Sequence, residues 1–159
     1  MYSDYDPDEQ CEIVDEDPKA LVWRDGPLEV TKPSNREIRN ARLYYVLNII
    51  RRHPGMWNQD TWHCGTSHCV GGFAQMLARR IPLTTVIPHP FILVPNPLPN
   101  MEGLVEVFAD EEGALWLGLD KRQMNQLFHP ANRFETLVRI IHCICDTEYH
   151  PEEVVSYGC

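Results

Sequence analysis

The chain has 159 residues, 43% of them hydrophobic, and a formal net charge of −9, which suits one packed domain rather than several. No apolar run approaches the about eighteen residues needed to cross a bilayer, and six irregularly spaced cysteines do not suit a disulfide-built mini-protein. The acidic start Met1-Tyr2-Ser3-Asp4-Tyr5-Asp6 is the opposite of a secretory or transit leader. Composition therefore points to a cytoplasmic protein with mostly reduced thiols, the alternative being a secreted chain already trimmed of its leader.

The charge is polarised along the chain. Residues 1–18 hold eight acids, among them Asp4, Asp6, Asp8 and Glu9, and no Lys or Arg. Residues 19–80 carry a net +6 and residues 81–159 a net −7. Residues 1–33 read as an acidic tail and linker, largely disordered when free. Such a tail either solubilises the protein or engages a basic surface, its own or a partner's. Within the linker, Leu21-Val22-Trp23 is an apolar patch suited to docking on the core.

Residues 34–159 read as the folded domain. Ser34-Asn35-Arg36-Glu37 matches a capping box, and Ile38, Ala41, Tyr45 and Ile49 then recur at helical spacing, predicting a helix to about Arg52 that stops before Pro54-Gly55. Gly65-Thr66-Ser67 predicts a tight turn with a hydroxyl cap, followed by a helix from Cys69 to Arg80. Its Gly71-Gly72 pair is costly in a helix unless another backbone approaches there. Six prolines between Ile81 and Asn100 predict a long irregular loop (81–100), anchored by apolar Phe91-Ile92-Leu93-Val94. Helical patterning from Leu104 breaks at Gly118, Asp120 caps a short helix to Leu127-Phe128, and Asn132 to Glu135 opens a last helix with Leu137, Ile141 and Cys145 on its core face. The expected fold is a mainly α single domain of about five helices with a Pro-rich irregular loop and an acidic N-terminal tail.

Three groups of residues suggest chemistry. Cys64 and Cys69 are zinc-ligand types, with His142 and Cys145 at i, i+3 on the last helix as the second pair. Zinc is the one cofactor this reading provides for. Alternatively, Cys69 at a helix start is a candidate thiolate nucleophile, with His129 or His142 as its base. Gln59 followed by Cys64-Gly65-Thr66-Ser67-His68-Cys69 resembles, over a few residues, the Gln and Cys-Gly-Ser-Cys element of papain-like cysteine proteases, but no Trp follows Cys69. In both cases the competing reading is a buried, inert thiol. The third group is Arg36, Arg39 and Arg42 along the first helix. They could meet phosphates, but the domain is not basic overall, so direct nucleic-acid binding is disfavoured and pairing with the acidic tail or with Glu102, Glu106, Glu111 and Glu112 is preferred.

The run Trp62-His63-Cys64-Gly65-Thr66 with Cys69, Gly72 and Ala74 resembles a group of small bacterial and phage proteins sharing Trp-x-Cys-Gly-Thr-x-x-Cys-x-x-Gly-x-Ala. Leu117-Gly118-Leu119 and Leu127-Phe128 extend the likeness to about residues 46–130, with Gly71 departing from the group's Ala. The resemblance implies one small domain of bacterial or viral origin and carries no established reaction. The sequence as a whole points to a regulatory or inhibitory protein that binds a protein partner, basic or nucleic-acid-binding. Its expected contact residues are Asp4, Asp6, Asp8 and Glu9 of the tail, the exposed aromatics Trp57 and Trp62, and Phe91 and Ile92.

Overall fold

The first helix starts one residue later than the Ser34–Glu37 box places it: the cap is Asn35 rather than Ser34, its side chain accepting a 2.8 Å hydrogen bond from the Ile38 amide, and α1 runs over Arg36–Arg52. The computed structural model describes residues 20–65 and 67–145. In chain order the further elements are a 3-10 turn (Pro54–Met56), β1 (His63–Cys64), β2 (Ser67–His68), α2 (Val70–Arg79), β3 (Phe91–Pro95), β4 (Leu104–Phe108), α3 (Ala109–Leu117), α4 (Lys121–Leu127) and α5 (Phe134–Cys145). The Asp120 capping box on α4 is complete, its side chain accepting from the Gln123 amide while the Gln123 side chain accepts from the Asp120 amide.

The expectation of a mainly α domain is overturned: the fold is mixed α/β, with five α-helices and two two-stranded antiparallel sheets among the described residues. The larger departure lies in the proline-rich stretch. Phe91–Pro95 pairs antiparallel with Leu104–Phe108, from Phe91↔Phe108 to Pro95↔Leu104. Proline is tolerated because of where it falls. Pro88 and Pro90 precede the strand, and Pro95 shares its parity with Leu93, whose amide points away from β4 to the Leu21 carbonyl. No β3–β4 hydrogen bond is lost at Pro95. The run from Leu104 is strand rather than helix for the complementary reason, since it finds a partner.

Of the tail and linker expected over 1–33, residues 20–33 are described. Leu21 and Trp23 bond the Leu93 backbone, with a parallel bridge at Val22↔Leu93, and Val30 is buried in the main core. That core gathers Leu43, Val46, Leu47 and Ile50 of α1, Val70 and Phe73 of α2, Leu117 of α3, Leu127 of α4, and Leu137 and Ile141 of α5. A second, smaller core of Met76, Ile81, Ile87, Ile92 and Val94 seats the β3–β4 arm. The glycines of α2 do meet close neighbours: a Cβ at Gly113 of α3 would lie 2.6 Å from the Gly71 carbonyl oxygen, and a Cβ at Gly72 would overlap the Trp62 carbonyl oxygen.

Candidate functional site

The motif that opens α2 folds as a tight hairpin turning at Gly65, where φ is +68°. Its two short strands pair His63 with His68, and opposite positions on one face place side chains in contact. The two buried imidazoles meet edge to face with Nδ1 atoms 2.8 Å apart. Phe73 packs edge-on against His68, ring centroids 5.3 Å apart.

From His63 a chain of buried polar groups runs inward. His63 Nε2 lies 2.8 Å from Gln75 Oε1. Gln75 Nε2 donates to the Val107 carbonyl and to Glu112 Oε1, each at 3.0 Å. Glu112 in turn takes Arg79 as a two-pronged partner, Nε to Oε1 at 3.0 Å and Nη2 to Oε2. Arg79 Nη1 also donates to the carbonyls of Pro27 and Leu28, fastening the incoming segment.

The partners determine where the protons sit. A carboxylate and a carbonyl only accept, so the Gln75 amide nitrogen must face Glu112 and Val107 and its oxygen must face His63. His63 therefore carries its proton on Nε2 and offers a bare Nδ1, to which His68 Nδ1–H donates. His68 Nε2 is buried and makes no hydrogen bond of ordinary geometry among the described residues. Burial holds the His63 pKa down to about 3, with the neighbouring His68 adding to the shift and the Gln75 bond opposing it. Burial likewise lowers His68 to about 4, opposed by the nearby Leu83 backbone.

These shifts make a pH prediction. Both folded-state values lie below the ordinary 6.5, so the unfolded chain takes up protons first as the pH drops. The pair's contribution to stability is then at its full value above pH 6.5 and is lost progressively as the pH falls from there through about 4 for His68 and about 3 for His63. Urea midpoints should fall across that window. A profile flat from about pH 7 to about 4.5 would contradict the buried neutral pair.

The cysteines behave differently from expectation. The cap position of α2 is Cys69, not Ser67, which belongs to β2. Complete burial pushes the Cys69 thiol up to about 12, and the amides of Gly72 and Gly71 offset this only in part. Desolvation outweighs the helix terminus, so the expected thiolate is corrected to an inert thiol. The two expected bases stand apart from it. His129 is exposed and its Nδ1 accepts from the Ala131 amide, while His142 is exposed near the end of α5. The zinc set fares no better. Cys64 is disulfide-bonded, and Cys145 is buried on α5 with its pKa raised to about 11 by that burial, the Tyr44 hydroxyl opposing. Among the described residues no three His, Cys, Asp or Glu side chains gather as a metal would require.

The expected contact residues are scattered. Asp4, Asp6, Asp8 and Glu9 lie outside the described residues. Trp57 is half-buried with its indole N–H donated to Gln59 Oε1. Trp62 is half-buried against Phe128, ring centroids 5.6 Å apart. Neither is the exposed aromatic expected, because both are drawn onto the main core. Phe91 stacks on His89 and meets Phe108 at a tilt, and Ile92 is fully buried, so it anchors the arm rather than offering a surface. Two arginines of the ladder are also used internally. Arg39 donates to the Ile144 carbonyl, and Arg42 donates to the carbonyls of Thr31 and Trp116 while covering the Trp116 ring at 4.6 Å. Among the described residues, the acid of that set seen paired is Glu112, and its arginine is Arg79. Gln75, Arg79 and Glu112 are not singled out by sequence as a site, although Gln75 and Arg79 at i, i+4 are the two polar side chains on an otherwise apolar helix. Comparison of the chain with models of protein families, with curated proteins and with solved structures finds no match.

Proposed function

We propose that this protein is a small regulatory protein that works by binding a protein partner. The observation that carries the reading is the end of the β3–β4 arm, where Leu98, Met101 and Leu104 are 59%, 56% and 41% exposed. Three large apolar side chains within seven residues of a proline-stiffened turn are costly to leave in water, and such clusters serve as contact surfaces. The eight acids of residues 1–18 supply long-range attraction for a basic partner, including one that itself binds nucleic acid. Among the described residues no helix is long and apolar enough to cross a membrane.

Native mass spectrometry of the protein isolated from its own host cells is the test. The wild-type chain should travel with a stoichiometric protein partner, and a Leu98→Asp/Met101→Asp variant should lose it while keeping the wild-type circular dichroism and melting transition. Removing residues 1–18 should slow association and flatten its salt dependence, with less effect on dissociation. A variant that keeps the partner at wild-type affinity would remove the arm from the interface. A wild-type chain that never travels with a partner would remove the reading altogether.

A further inference from the structure

β4 is paired on one side only: among the described residues its sole neighbour in the sheet is β3. The ladder shows which groups this leaves open. Leu93 sends its amide to Leu21 and accepts from Trp23, so both of its backbone groups turn away from β4. In an antiparallel ladder the residue opposite does the same, and that residue is Glu106. Leu104, opposite Pro95, has the same parity. The N–H and C=O groups of Leu104 and Glu106 therefore point outward, and among the described residues nothing bonds to them.

The two faces of β4 differ. Val105 and Val107 pack against the smaller core, while Leu104 and Glu106 are exposed. Charge is one-sided as well, since residues 81–120 hold six acids and no Lys or Arg. Glu112 is engaged by Arg79, and Asp120 caps α4. Glu102, Glu106, Asp110 and Glu111, which lie in or beside β4, form no ion pair among the described residues. A second copy of the chain is a poor match for this edge. Antiparallel pairing over all five residues of β4 would set Glu106 against Glu106, and like charges directly opposite are destabilising. A strand with cations on its solvent face and β-branched residues on the other suits both faces of β4.

We infer that the outer edge of β4 is the docking site of an extended, basic strand of the protein partner, which adds antiparallel as the third strand of the β3–β4 sheet. Its backbone bonds Leu104 and Glu106, a Lys or Arg stands opposite Glu106, and its alternate side chains continue the Val105–Val107 face. The inference rests on the partner-binding reading above and gives the partner's contact segment its chemistry.

The probe is an octapeptide of alternating Val and Lys, added to the full-length protein. Saturating peptide should slow hydrogen exchange of the Leu104 and Glu106 amides at least about tenfold, and leave those of Val105 and Val107, which face β3, unchanged. N-methylation of the peptide's Lys amides, which face β4 in this register, should abolish binding, whereas N-methylation of its Val amides should not. Glu106 is exposed, so Glu106→Lys leaves the fold unchanged, which the melting transition verifies. That variant should bind the Val–Lys peptide about fivefold more weakly and an alternating Val–Glu peptide about fivefold more tightly. A peptide that binds while Leu104 and Glu106 exchange as before, as it would on the acids of residues 1–18, overturns the assignment. So does no binding at all, an equal effect of the two methylations, or affinities indifferent to Glu106→Lys. Each of these results leaves a co-isolated partner standing, and the absence of that partner is the separate failure of the reading above.

Discussion

Glu112→Ala should destabilise the protein by about 3–5 kcal/mol, the usual cost of leaving one partner of a buried ion pair unanswered. Glu112 satisfies two donors of Arg79 and one of Gln75, and all three side chains are buried. Truncating it strands a guanidinium and an amide N–H away from water at once. Removing both charges is a different experiment. Arg79→Met/Glu112→Leu keeps the volume while removing the need for compensation, and it should recover much of the loss. It will not recover all of it, because Arg79 also holds the carbonyls of Pro27 and Leu28. Urea denaturation with a double-mutant cycle measures each term. A Glu112→Ala cost under about 1 kcal/mol, the range of an exposed pair, would mean that the pair is solvated rather than buried.

Gly72→Ala is the second large effect, with an expected cost of about 3 kcal/mol from overpacking. The added methyl would occupy the same space as the Trp62 carbonyl oxygen and would sit 3.1 Å from the His63 ring. Backbone must give way, and the part that moves is the hairpin that presents both histidines. The His63–Gln75 bond should break with it. An imidazole N–H proton seen by NMR for His63 in the wild type should be lost or exchange-broadened in the variant. Gly55→Ala is the matched control, since a Cβ there meets nothing within 4 Å and the change should lie within about 0.5 kcal/mol of neutral. A Gly72→Ala variant as stable as the wild type, or more stable as helix propensity alone would make it, would show that the Trp62 backbone does not close on Gly72.

Helix starts and stops are legible in the chain before it folds. Asn35 and Asp120 cap α1 and α4 through side chains that reach amides three residues ahead, an interaction complete within one turn and independent of anything distant. The same locality makes Gly118 readable as a stop, which it is, as a left-handed C-cap at φ +69°. The glycine pair of α2 signals close approach, although not the identity of the approaching backbone.

Other features exist only through contacts between distant segments. The proline-rich stretch becomes a strand because β4 and the Leu21–Trp23 segment lie on its two sides, and strand pairing depends on partners far along the chain. Cys69 sits where local rules favour a thiolate, at the start of a helix, yet complete burial reverses the sign. Gln75, Arg79 and Glu112 look like ordinary surface residues in sequence and become the interior of a polar relay only when α3 packs on α2. Caps, stops and breaks are settled by neighbours within a turn. Burial, hydrogen-bond partners and proton positions are settled by contacts that arise only once the chain has folded.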